Sequence, residues 1–267
     1  MSEHSVENNR IILAGAGNLA TCLGVALVRA GVTPVAVWSR SEASASALAE
    51  KLGCPYSTEI TMLPDADIVI TAVSDDALPH VAKQLTERYS NALLAHTAGS
   101  VAMDIWAEAG ARRYGVFYPM QTFSKNKEVD FSHVGIFIEA CAETVYLALE
   151  QLASKVSPMV YRATSRQRGY LHIAAVYACN FANAMYSMAH DILEKERLPF
   201  EVMLPLIDET AAKLHHLSPE EAQTGPARRG DETIMRKQLA MLDGTKSEIY
   251  ALVSSYIAEK AKNNKQL

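Results

Sequence analysis

The chain has few cysteines, no long apolar run and no basic tract, and each shortage excludes a class of protein. Its four cysteines, Cys22, Cys54, Cys141 and Cys179, are spread through 267 residues without a Cys-x-x-Cys pair. A disulfide framework or a zinc site needs closer, regular spacing, so they read as buried free thiols of a reducing compartment. No apolar stretch reaches the roughly 20 residues that cross a bilayer. Residues 1–9 are polar and of mixed charge, unlike a signal peptide, so a cytoplasmic protein is expected. Basic residues form no tract beyond adjacent pairs such as Arg228-Arg229 and the last lysines, and the net charge is −5 from 25 basic and 30 acidic residues. Nucleic acid is therefore not an expected partner. There is no Gly-x-Ser-x-Gly, no His-Glu-x-x-His and no cysteine-histidine cluster, which argues against hydrolase and metal chemistry. What remains is an ordinary globular composition, 49% hydrophobic and 21% charged, with length for one large or two modest domains.

The richest local signal is Ile11-Ile12-Leu13-Ala14-Gly15-Ala16-Gly17-Asn18-Leu19-Ala20. An apolar run breaks at Gly15, and a helical pattern with Leu23, Ala26 and Leu27 follows, ending at Gly31. Strand, glycine turn and helix N-terminus in that order form a dinucleotide-binding fingerprint. Gly15 makes the tight turn and Gly17 admits the phosphates. Asn18 and Leu19 open the helix whose dipole favours the anion, and Ala20 stands where helix and strand pack. The next strand, Val35-Ala36-Val37-Trp38, ends in Ser39-Arg40-Ser41. An NAD site places an acid roughly 20 residues beyond the glycine turn. Here a serine and an arginine occupy that tip, a pair suited to a 2′-phosphate, so NADP is the expected cofactor. The alternative for Arg40 is a solvated surface arginine.

Short apolar strands alternate with helices as far as residue 163, which predicts a doubly wound, mostly parallel α/β sheet. Ligands on such sheets bind at the carboxyl ends of strands. The tips to watch are Ser39-Arg40, Val73-Ser74-Asp75, His96-Thr97-Ala98-Gly99-Ser100 and Tyr118-Pro119-Met120-Gln121. From residue 164 helical periodicity takes over, with helices expected over 167–196, 199–217, 229–242 and 245–262. The division is thus 1–163, nucleotide-binding, and 164–267, an all-α domain for dimerisation and substrate. The helix over 167–196 is apolar on several faces and must be covered, which favours a homodimer.

Candidate chemistry lies on this helix and at the strand tips. His172, Val176 and Asn180 recur four apart, which aligns imidazole and amide on one helix face. His172 would donate or accept a proton and Asn180 would orient a substrate atom; alternatively both are satisfied core groups bracing a seam. His96 ends a strand at the ligand edge and could relay a proton, cap a helix or bond to backbone. Gln121 could bind a substrate head group. Thr224 and Arg229 flank a Gly-Pro turn, with Arg229 a candidate anion ligand and Thr224 or Asp231 a helix cap.

Taken together these segments resemble a family of Rossmann-like NADP oxidoreductases with a helical C-terminal domain of unknown function. The resemblance rests on Ala14–Ala20, His96–Ser100, Tyr118–Phe123, His172–Val176 with Asn180, and Thr224-Gly225-Pro226 with Arg229 and Asp231. The architecture is also similar to pyrroline-5-carboxylate reductase and the deazaflavin-dependent NADP oxidoreductases, with a helical part like the C-terminal domain of 6-phosphogluconate dehydrogenase. The loop around Thr224 lacks the reductase's glycine pair, so its imino-acid specificity is not implied. The related β-hydroxyacid dehydrogenases carry a catalytic lysine one helical turn before an asparagine, and here that place is Val176. The resemblance implies hydride transfer between nicotinamide and a small carbonyl or imine compound. The other reading is a non-catalytic NADP-binding sensor dimer.

Overall fold

The structure is a computed structural model describing residues 9–263. It divides into two compact units, one ending at Cys179 and one beginning at Asn180. The boundary expected at residue 163 thus falls earlier than the observed one, because the helix that follows it is fixed to the sheet.

The first unit is an eight-stranded sheet: β1 (Ile11–Ala14), β2 (Ala36–Trp38), β3 (Tyr56–Ser57), β4 (Ile68–Thr71), β5 (Leu93–His96), β6 (Tyr114–Met120), β7 (Gly135–Ala140) and β8 (Val160–Arg162), in the order β3-β2-β1-β4-β5-β6-β7-β8. All neighbours pair in parallel except β6 and β7. Two-residue β3 is too short to leave a periodic trace in the sequence. The helices are α1 (Asn18–Arg29), α2 (Glu42–Leu52), α3 (Leu78–Arg88), α4 (Ile105–Glu108), α5 (Glu143–Val156) and α6 (Ser165–Ala175). Side chains alternate across each strand, so both faces of the sheet acquire a core. Ile11 and Leu13 pack with α1, α2 and α5. Ile12 and Ala14 face the opposite layer with α3 and Trp106 of α4. Helix ends follow local chemistry. The Ser41 hydroxyl accepts from Ser44 N at 3.3 Å to cap α2, which ends at left-handed Gly53. Thr164 and Gln167 form a capping box on α6.

A π-helical turn, Val176–Phe181, interrupts the single long helix expected over 167–196. Its i→i+5 bonding inserts a residue, so the four-residue stripe His172-Val176-Asn180 is not carried straight along one face. Beyond it the second unit contains α7 (Ala182–Lys195), α8 (Leu204–Ala212), α9 (Pro219–Ala222), α10 (Pro226–Arg229), α11 (Glu232–Leu239) and α12 (Gly244–Asn263). The helix expected over 229–242 splits because Gly230 adopts φ +72° and Asp231 starts a new cap. Of the cysteines only Cys22 is buried; Cys54 is half-buried, while Cys141 and Cys179 are exposed. All four are free thiols, and no described helix is long and apolar enough to cross a membrane.

Two glycines of the first turn make opposite predictions. A Cβ on Gly15, already at φ +128°, would lie 2.1 Å from the Ala72 carbonyl oxygen, whereas one on Gly17 meets nothing within 4 Å. Gly17 also has an ordinary φ of −79°. Urea unfolding should show Gly15→Ala destabilised by about 3 kcal/mol or more, and Gly17→Ala within about 0.5 kcal/mol of wild type.

Candidate functional site

After β1 the chain moves outward to β2 and β3, then returns to place β4 on the other side of β1. At such a switch point adjacent strand tips diverge and leave a crevice at their carboxyl ends. The tips are tied across: Gly15 N donates to the Trp38 carbonyl and Ala72 N to the Ala14 carbonyl, each at 2.7 Å. Gly17 caps α1 without a side chain, and Thr21 anchors the turn by donating its hydroxyl to the Gly17 carbonyl at 2.9 Å.

Two contiguous pockets fill the crevice, sharing Gly17, Ala72, Val73 and Ser74. One, of about 280 Å³, is bounded by Gly15, Ser39, Arg40, Ser44 and Lys125, and no carboxylate lines it. The other, of about 370 Å³, is bounded by Asn18, Leu19, Thr97, Gly99, Tyr118, Gln121 and His172. The turn and strand-tip residues named from the sequence for a cofactor therefore come together. Ala20 lies in the core, packing α1 onto the sheet as its place in the fingerprint implies, and does not line the cleft. Backbone N–H groups at a helix start and an arginine without a competing acid fit a phosphate-bearing ligand. Gln121 lines the second pocket, but its carbonyl oxygen already accepts from Thr122 N at 2.8 Å, which leaves its amide donors for a ligand.

The far end carries a pair that sequence reasoning missed. The Tyr118 hydroxyl lies 3.5 Å from His172 Nδ1. Burial pushes the Tyr118 phenol above its ordinary pKa, opposed by the nearby Arg168 guanidinium. Gly99 makes room for the ring, since a Cβ there would lie 2.7 Å from Tyr118 Cζ. His172 is positioned from one helical turn earlier. Arg168 is wholly buried, forms an ion pair with Glu139 of β7 and donates to the Val101 carbonyl at 2.7 Å. Glu139 also accepts from Ser165 N and Oγ, at 2.8 and 2.7 Å. Breaking one partner of such a buried pair strands a charge, which holds α6 to the sheet. The signal was present as a lone glutamate in an apolar strand and an arginine four residues before His172.

His96 is not at the cleft. It has no exposed surface, lies near-parallel to Trp106 with ring centres 6.4 Å apart, and accepts from Ala98 N at 3.2 Å. The backbone-bonded alternative describes it: its ring turns into the core against Trp106, and the residues that follow it, from Thr97, line the cleft. Asn180, Thr224 and Arg229 belong to the second unit, where all three are exposed. Gly225, not Thr224, caps α10, while Asp231 caps α11 by accepting from Ile234 N at 3.1 Å.

A family model described as shikimate/quinate 5-dehydrogenase matches residues 1–105, and one described as a domain of unknown function, DUF2520, matches residues 134–257. A solved candidate NADP oxidoreductase from Bacteroides fragilis is 47% identical over 96% of this chain and 100% of that one, with a TM-score of 0.89. A Thermotoga maritima protein is 21% identical over 96% and 99%, with a TM-score of 0.75. A reductive aminase from Aspergillus terreus, solved with NADPH and ethyl levulinate, is 18% identical over 96% and 94%, with a TM-score of 0.72. The last two share the fold. No curated protein matches the chain.

Burial of His96 generates a pH prediction. Desolvation, reinforced by Arg168, lowers its pKa from 6.5 to about 4. The unfolded chain therefore binds a proton that the folded chain refuses between those values. The contribution is intact above pH 6.5 and is lost progressively as pH falls toward 4, by about 3 kcal/mol at most. Denaturation of His96→Phe across this window should show a flatter acid limb than wild type.

Proposed function

The chain belongs to the Rossmann NADP oxidoreductase-like family represented by the Bacteroides fragilis protein, and from this premise we propose that it is an NADP-dependent oxidoreductase acting on a small carbonyl or imine compound. The observation that carries the reading is the pairing of two pockets: one with Arg40 and serine hydroxyls but no carboxylate, the other with the Tyr118–His172 pair. An acid at the first would favour an unphosphorylated ribose, and its absence supports NADP. Gly15, Gly17, Asn18, Leu19, Val73 and Ser74 would hold the dinucleotide. When bound, the nicotinamide supplies or accepts the hydride.

The protein's own part is positioning and proton supply. His172 and Tyr118 would hold a proton at Nδ1 and the phenol oxygen, beside a substrate oxygen or nitrogen oriented by Gln121. This pair favours catalysis over a sensor, because an adenosine-binding site alone has no need of it. Asn180 as an orienting amide, and Thr224 with Arg229 as an anion site, are separate proposals for the second unit. The reductive aminase fold supports the substrate class by analogy. Four free thiols suit a cytoplasmic setting.

A homodimer is part of the same reading. Among the described residues of the second unit only Ala227 is buried, while Leu206, Leu214, Leu252 and Tyr256 are exposed. Helices that bury so little of their own apolar surface need a cover, and a second copy supplies matching faces by symmetry. Light scattering should give about twice the 29.1 kDa of one chain.

The catalytic test is deuteride transfer from C4-deuterated NADPH across a panel of small carbonyls and imines. Wild type should label the acceptor carbon of at least one. His172→Ala should then lower kcat by about 100-fold or more without changing NADPH affinity. Unaltered turnover would remove His172 from the mechanism, and no transfer to any acceptor would favour the sensor.

A further inference from the structure

The pocket of about 280 Å³ at the tip of β2 contains a cation that the glycine fingerprint does not provide. Lys125 lines it together with Ser39, Arg40 and Ser44. It comes from the connection between β6 and β7, more than 80 residues from Arg40 in sequence. Neither Arg40 nor Lys125 makes an ion pair among the described residues, and no carboxylate lines the pocket.

The connection is held on both sides of Lys125. Before it, Phe123 stacks on Phe131 with ring centres 5.9 Å apart and packs against the core. The Ser124 carbonyl accepts from the Cys22 thiol of α1 at 3.5 Å. After it, Glu128 forms an ion pair with Arg29 at the end of α1, and Val129 returns to the core. The segment is thereby strapped over α1, and Lys125 sits beside the pocket rather than on a free loop. Lys125 also borders a second cavity, between α1 and the strap, and its neighbour Lys127 lines only that one of the two.

Charge decides what such a pocket takes. Two cations facing one cavity without an acid repel each other until an anion enters. A phosphate monoester carries about −1.5 to −2 charges at pH 7. One arginine neutralises about half of that charge; an arginine and a lysine match it. We propose that Lys125 is the second cation of the 2′-phosphate site, so that the β6–β7 strap fixes cofactor choice together with the tip of β2. The inference rests on the reading of the cleft as an NADP site and adds a residue from a separate part of the chain to it. Ser39 and Ser44 supply hydroxyls to the same anion.

The test is calorimetric titration with 2′-phospho-ADP-ribose and with ADP-ribose, which isolate the adenosine end from any hydride chemistry. Wild type should prefer the phosphorylated ligand. Lys125→Ala should weaken that ligand by about tenfold and leave ADP-ribose unchanged, with a flatter salt dependence. Lys125→Arg should restore most of the preference. Lys127→Ala removes the same charge two residues away and should change neither affinity by more than about twofold. If Arg40→Ala abolishes the preference while Lys125→Ala matches Lys127→Ala, the Lys125 assignment is wrong and the NADP reading stands. If wild type binds both ligands equally, the NADP reading fails and takes Lys125 with it.

Discussion

The approach of the Gly15 backbone to the Ala72 carbonyl is the constraint on which the cleft depends. At this point β1 and β4 lie side by side while their connections leave in opposite directions. A crevice opens only because the first turn after β1 stays flat against the tip of β4, and a side chain there would collide at 2.1 Å. Once this contact is made, Gly17 caps α1, the start of the helix borders the crevice, and Ser39-Arg40 and Val73-Ser74 line it too. The phosphate chemistry follows from the backbone route more than from any single side chain.

The other end depends on a different kind of interaction. Arg168 is wholly buried and its partner Glu139 partly so, and such a pair is retained for what it fixes as much as for net stability. Here it fixes α6 against β7 and the segment around Val101, and it places His172 one turn later against Tyr118. A glycine contact at one end and an ion pair at the other thus hold two chemically distinct pockets in register on one sheet.

Much of this was legible in the sequence, for physical reasons. The glycine turn, the apolar strands and the carboxyl-end tips follow from local periodicity and from the rule that ligands bind where doubly wound sheets diverge. Gly15, Gly17, Ser39, Arg40, Val73 and Ser74 accordingly line one pocket, and His172, read from its helix, lines the contiguous one. Periodicity could not show the π-turn at Val176–Phe181, whose apolar residues read as a continuous helix. Of the readings open for His96 the backbone-bonded one holds, because its ring turns into the core against Trp106 while Thr97 onward line the cleft. Tyr118 and Arg168 were hidden because their meaning lies in pairing with residues 54 and 29 positions away. The cysteines were expected to be buried from apolar neighbours, yet Cys141 and Cys179 fall on outward positions.

The central claim is that the cleft takes a phosphorylated nicotinamide dinucleotide. Its most direct test is a fluorescence titration of the purified protein with NADPH and, separately, with NADH. The account predicts saturable NADPH binding with enhanced nicotinamide emission and NADH binding at least about tenfold weaker. Equal affinities would contradict the role of Ser39 and Arg40, and binding of neither by correctly folded protein would contradict the oxidoreductase reading itself.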